Sequence, residues 1–141
     1  MKITITSLLA IVFLQSFCFG QESTGRDIRV VIKNLDNNDG KVFISLYDKE
    51  KAFLEHPIAT DKLMITNQEC QYTFKNVPSG IYAVSFFHDE NDNDKMDSNF
   101  LGVPKEDYGC SNNARGVMGP PKWEDAKFEV KNKNILQTIS L

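Results

Sequence analysis

The chain has 141 residues and a formal net charge of −3, enough for one domain of ordinary size. Its mildly acidic balance excludes the basic patch that a nucleic-acid partner requires. Basic residues come close together only at Arg26 with Arg29 and in the 127–133 tail, and neither forms a stripe.

The N-terminus has the pattern of a secretory signal. Lys2 supplies the positive n-region, and Leu8 to Leu14 is an uncharged apolar run. Cys18 and Gly20 suit positions −3 and −1 of a cleavage site before Gln21. The run is shorter than the ~20 residues of a membrane-spanning helix, and no second apolar segment follows. Acylation of Cys18 is the alternative, for which Gln15 and Phe17 are poor flanking residues. The expectation is a signal peptide at 1–20 and a single exported domain at 21–141, periplasmic or extracellular, with no transmembrane segment. The cut would leave two cysteines, Cys70 and Cys110. In an exported chain they permit a disulfide, stabilising by about 4 kcal/mol in the entropy model. The alternative is that Cys70 is a buried core thiol.

Beyond Gln21 the hydrophobic period is two. Ile28, Val30 and Ile32 alternate with Arg29 and Lys33. Asp36-Asn37-Asn38-Asp39-Gly40 has turn composition, and Val42, Ile44 and Leu46 resume the alternation, so the two runs predict a hairpin. Lys49 to His56 predicts a short helical turn, stopped by Pro57, and Leu63 to Ile65 a short strand. Cys70, Tyr72 and Phe74 line another alternating face, and 76–80 is a turn. Tyr82 to His88 is apolar on both faces, as expected of a central strand.

That strand runs into His88-Asp89-Glu90-Asn91-Asp92-Asn93-Asp94-Lys95-Met96-Asp97-Ser98-Asn99, with five acids and three asparagines against one lysine. Oxygen-dense loops of this kind bind hard cations such as Ca²⁺. In an EF-hand-type register Asp89, Asn91, Asn93 and Asp97 take positions 1, 3, 5 and 9, and the Lys95 carbonyl position 7. Asp94 stands where Gly is usual, and Phe100 where a bidentate Glu is usual, so Glu106 or Asp107 is the candidate for an extra ligand. The remaining acids, Glu90, Asp92 and Asp94, are expected to face solvent. No helix precedes the loop, so this is not a helix–loop–helix unit. The missing carboxylate points to affinity near ~10⁻⁴–10⁻³ M. The competing reading is a solvated acidic turn.

From Ser98 to Trp123 the periodicity is lost in a stretch rich in Gly, Pro, Asn and Ser. It is expected to be ordered, packed on the sandwich by Tyr108, Val117 and Trp123. Phe128 with Val130, then Ile135 and Ile139, supply two closing strands. About seven strands in all predict an all-β, antiparallel two-layer sandwich, immunoglobulin-like or transthyretin-like, with a long irregular loop after the acidic turn.

Several of these motifs resemble a family of exported bacterial proteins, the domain of unknown function 2141. They are Val77-Pro78-Ser79-Gly80-Ile81-Tyr82, His88 to Asp97, Gly102-Val103-Pro104-Lys105-Glu106-Asp107-Tyr108-Gly109, Ser111-Asn112-Asn113-Ala114 and Pro121-Lys122-Trp123-Glu124-Asp125-Ala126. The family usually has Gly where this chain has Asp92 and Asp94, and often an aromatic residue at Cys110. The resemblance implies a β-sandwich and no established activity.

Two functional classes compete. One is a non-catalytic, Ca²⁺-stabilised module that binds an envelope protein or polysaccharide through Tyr108, Asn112, Asn113 and Trp123; against this, a lone Trp more often closes a core. The other is a hydrolytic enzyme using Cys110 with His88, or Glu106 with Asp107, as nucleophile and base or acid and base. No Cys/His spacing has the form of a zinc site.

Overall fold

Alternation sorts the first strand cleanly. In β1 (Arg26–Lys33) Ile28, Val30 and Ile32 are fully buried, while Arg29 is exposed. A computed structural model describes residues 25–141. The signal segment, Cys18 and the cleavage point before Gln21 lie outside the described residues. After β1 come β2 (Lys41–Tyr47), β3 (Ala59–Leu63), β4 (Cys70–Val77), β5 (Gly80–Asp89), β6 (Tyr108–Cys110), β7 (Phe128–Val130) and β8 (Ile135–Ser140). Single 3-10 turns lie at Glu50–Ala52 and Ser111–Asn113, and a one-turn helix, α1, at Trp123–Ala126.

The strands form a two-layer all-β sandwich. One sheet has the order β4-β1-β8, and the other runs β3-β2-β5-β6 with β7 also on β5. Pairing is antiparallel except between β1 and β8, which run parallel. The inner faces meet in a core of Ile28, Val30, Ile32, Val42, Ile44, Phe74, Val84, Phe86 and Ile139. Each such side chain contributes about 1.5–3 kcal/mol by leaving water.

The expected β1–β2 hairpin is not formed. The two strands lie in different sheets and face each other across the core. Alternation specifies an inward face, and two such runs satisfy it as facing layers as well as neighbours. The 36–40 segment is therefore a crossover between layers. Gly40, at φ +63°, is required because a β-carbon there would run into the Asp89 carbonyl oxygen.

β5 is central and apolar on both faces, as its sequence suggests. Val84 and Phe86 point into the main core. Ala83 points outward into a second cluster with Tyr47, Cys110, Ala114, Trp123 and Ala126. Phe53 closes that cluster, its ring edge-on to both Tyr47 (5.3 Å) and Trp123 (5.7 Å). The 111–126 segment thus covers the outer face of the larger sheet. Trp123 is buried there, whereas Val117 is 97% exposed and packs on nothing, contrary to expectation.

Cys70 and Cys110 are both free thiols, which corrects the expected bridge. Cys70 faces the main core from β4, and Cys110 lies in the outer cluster. The larger sheet stands between them, and a disulfide tolerates only ~4.4–6.8 Å between α-carbons.

The far edge of β5 is shared. β7 pairs with Gly80–Tyr82 and β6 with Ser85–Phe87, leaving a gap at Val84. Ser111, fully buried, fills it. Its Oγ accepts the Val84 N–H (2.9 Å) and donates to the Ala126 carbonyl (2.6 Å). Ser111→Ala would leave both groups buried without a partner, at a cost of roughly 1–3 kcal/mol in chemical denaturation. An unchanged midpoint would contradict this role.

Candidate metal centre

The acidic loop begins with a buried charge. Asp89, the last residue of β5, is fully buried, and its two carboxylate oxygens accept the N–H groups of Asn93 (3.0 Å) and Asp94 (2.8 Å). To bring those amides back onto Asp89 the chain coils tightly, with Asp92 at φ +60° and Asp94 at +62°. Both positions take the left-handed conformation, which Asp tolerates better than most residues.

The side chains of Asn91, Asn93 and Asp97 bond one another, and Asp89 joins them through the Asn93 backbone. Asn91 donates its amide N–H to Asp97 Oδ2 (2.6 Å), and Asn93 donates to both Asp97 oxygens (3.1 and 3.2 Å). The Asn91 and Asn93 Oδ1 atoms accept the N–H groups of Asn93 and Lys95. Turning either amide by 180° exchanges a nitrogen for an oxygen toward Asp97. Asp89, Asn91, Asn93 and Asp97 are thus linked in one hydrogen-bonded ring.

Glu106 reaches this loop, as the register suggests, but as a clamp on its backbone. It is buried, with Oε1 accepting the Glu90 N–H (3.3 Å) and Oε2 the Asp97 N–H (2.9 Å). Phe100, at the twelfth position, is 96% exposed. Asp107 turns away from the acidic loop toward His88.

Asp92 and Asp94 do not simply face solvent. Lys41 of β2 pairs with Asp92 (2.6 Å) and Asp94 (3.2 Å), and Lys62 of β3 with Asp94 (2.9 Å). Lys62 and then Lys41 hold the Asp94 carboxyl below its usual range, and Asp92 followed by Asp94 raises Lys41. Lys62 also lies over the Phe43 ring, 4.8 Å from its centre. The compensating charge of the loop therefore comes from neighbouring strands. Carboxylate oxygens of Asp89, Asp92 and Asp94 lie within 4.8 Å of one another beneath these lysines.

The expected binding face divides in the same way. Asn112 donates to the carbonyls of Asp125 and Lys127, and Asn113 accepts the Ser140 N–H, so both are cross-links to the closing elements. Trp123 is buried, and of the four only Tyr108 lines the open cleft on this face. That surface is a cleft of about 750 Å³ on the outer face of the larger sheet. Its floor includes Phe43 and Phe87, stacked 4.8 Å apart, and its rims carry Leu101, Val103, Val117 and Met118, all exposed. The two phenylalanines stand on the polar side of the alternation, the one sign of this cleft in the sequence.

The nucleophile–base pair is not assembled. His88 shares the inward parity of Val84 and Phe86, while Cys110 is paired opposite outward-facing Ser85. Burial pushes the Cys110 thiol up to about 12, away from the thiolate that attack requires. Glu106 has both oxygens on backbone amides.

A family model described as "Uncharacterized protein conserved in bacteria (DUF2141)" matches residues 30–138. The chain belongs to this family. No curated protein and no solved structure matches significantly. The match covers both sheets and the acidic loop. Asp92 and Asp94 occupy two left-handed positions of that loop.

Two outcomes follow from this geometry. Glu106→Gln replaces one accepting oxygen with a donor, so the Glu90 or the Asp97 N–H loses its partner. Faster amide exchange confined to residues 90–97, at a cost of about 1–3 kcal/mol, is expected; unaltered exchange there would rule the clamp out. Burial also pushes the Cys70 thiol up, to about 11. Both thiols should resist a thiol reagent at pH ~8 until the chain unfolds. Because the folded values exceed the ordinary 9.0, the stability linked to these thiols is intact below pH ~9 and is lost as the pH rises toward 11–12. Fast labelling of the native chain would contradict this.

Proposed function

We propose that this protein is an exported, non-catalytic β-sandwich module whose acidic loop is held by Ca²⁺ and which binds an envelope or extracellular partner. The observation that carries the reading is the convergence of Asp89, Asn91, Asn93 and Asp97 on one another. These are the alternate positions that supply side-chain oxygens in a calcium loop. Ca²⁺ would draw on Asp89 and Asp97 for charge, on the asparagine oxygens turned inward, and on the Lys95 carbonyl. Water would complete the shell. Such a shell has few charges, in keeping with an affinity of ~10⁻⁴–10⁻³ M and with extracellular calcium levels.

Export is supported by the signal pattern of residues 1–20. Among the described residues no helix is long and apolar enough to cross a membrane. Partner binding is supported by the cleft above Phe43, Phe87 and Tyr108. Stacked rings with exposed apolar rims suit a peptide segment or the faces of sugar rings, so the partner is an envelope protein or a polysaccharide.

Calcium linkage is measured by thermal unfolding in EGTA and in increasing Ca²⁺. At tenfold excess over Kd the fold should gain about 1.4 kcal/mol. Asp97→Asn should remove most of that gain, and Asp92→Asn little. A melting temperature unmoved by Ca²⁺ up to several millimolar would reduce the loop to an acidic turn.

A further inference from the structure

We infer that His88, Glu90 and Asp107 form a second metal site, distinct from the acidic loop, which takes a borderline divalent transition ion of the Zn²⁺ class. One ring nitrogen of His88 and a carboxylate oxygen from each acid lie within 4.8 Å of one another.

The imidazole carries most of the argument. His88 is fully buried, and its Nε2 lies 2.6 Å from the Asp39 carbonyl oxygen. A carbonyl can only accept, so Nε2 carries the hydrogen, and in the neutral ring Nδ1 is a bare lone pair. That Nδ1 is buried and has no hydrogen-bond partner. Asp107 Oδ2 beside it is also buried and unpartnered. Two buried, unpartnered acceptors thus stand near a second carboxylate, that of Glu90, an arrangement that is costly unless a cation lies between them. A proton on Nδ1 would be expected to draw a carboxylate into hydrogen-bond contact. A metal ion instead holds its ligand atoms apart, ~3.3 Å in a tetrahedron with bonds of ~2.0–2.1 Å. Glu90 is exposed at the rim and can close on the ion.

The support around the three ligands comes from one segment. Asp39 accepts from the far nitrogen of His88, Asn37 Nδ2 donates to Glu90 Oε2 (3.2 Å), and Asp36 lies beside Asp107. Outer contacts of this kind orient metal ligands and set the histidine tautomer. One imidazole nitrogen selects Zn²⁺ over Ca²⁺, and three protein ligands leave a position for water. The ligands come from the end of β5 and from the approach to β6, so no short Cys/His spacing announces them.

The test is calorimetric titration of the purified, untagged chain with Zn²⁺ in saturating Ca²⁺. Saturation keeps the acidic loop occupied, so failure here is distinct from failure of the calcium reading. One Zn²⁺ per chain is expected. Glu90→Gln and Asp107→Asn should each weaken it by about tenfold or more, with Asp97→Asn leaving it unchanged. Glu90 is exposed, so its variant should fold normally. The ¹⁵N resonances of the His88 ring should show a bare Nδ1 that shifts on Zn²⁺ addition. No uptake at roughly 100 µM Zn²⁺, uptake indifferent to both variants, or a protonated Nδ1 that Zn²⁺ does not move would each overturn the site.

Discussion

The end of the molecule that carries all its candidate chemistry is organised around one buried carboxylate. Asp89 has no exposed surface, and an ion so placed is tolerable only when fully hydrogen-bonded. Its partners are backbone amides four and five residues ahead, which obliges the chain to coil back on itself. That coil sets Asp92 and Asp94 in left-handed conformations and turns Asn91, Asn93 and Asp97 inward. It also crowds charge, which Lys41 and Lys62 offset from the adjoining strands. The same residue presses on its other neighbour, since its carbonyl occupies the space where any side chain at 40 would go. The crossover between the sheets and the acidic loop are in this way a single packed unit.

A sandwich of this size exposes two open flanks, and this one covers the outer flank of its larger sheet with irregular chain. Covering a sheet with non-repetitive backbone requires every buried amide and carbonyl to find a partner. Ser111 does this at Val84 and Ala126, Asn112 at Asp125 and Lys127, and Asn113 at Ser140. The amide-rich composition of the segment is thereby explained by the backbone it must satisfy. Where that cover stops, Phe43, Phe87 and Tyr108 stay open to the cleft.

Much of this was legible. Alternation marked β1, β2, β4 and β5, and apolar residues on both faces marked β5 as central. The oxygen spacing picked out Asn91, Asn93 and Asp97, whose side chains bond one another, and Asp89, which accepts the Asn93 backbone N–H. What alternation does not encode is which sheet a strand joins, so β1 and β2 read as neighbours when they are opposing layers. β3, at Ala59–Leu63, was misplaced toward Ile65 because four of its five residues are exposed and it has no apolar period. Charged, solvent-facing residues are what an edge strand carries to resist further pairing. β6 and β7 have three residues each, too short for any period. Cys70 and Cys110 looked like a pair because count and compartment permit one, whereas face parity, visible only once the sheets are assigned, forbids it.

The same limit hid the role of residues 36–40. By composition the segment is a turn, and its Asp-Gly step is a hairpin signal. Its position over the end of β5 changes the meaning of each residue. Gly40 permits close approach, Asp39 offers a carbonyl to His88, Asn37 holds Glu90, and Asp36 meets Asp107. Turn-forming residues are rich in exactly placed donors and acceptors only when something fixes the turn against a second element, and here β5 does so. The two proposed cation sites share one strand end. Asp89 and His88 are consecutive, so the pleat sends their side chains to opposite sides. On one side hard oxygens gather around Asp97, and on the other a single imidazole nitrogen meets two carboxylates. Different donor sets select different ions, so adjacent residues of one strand can serve two metals without competing for either.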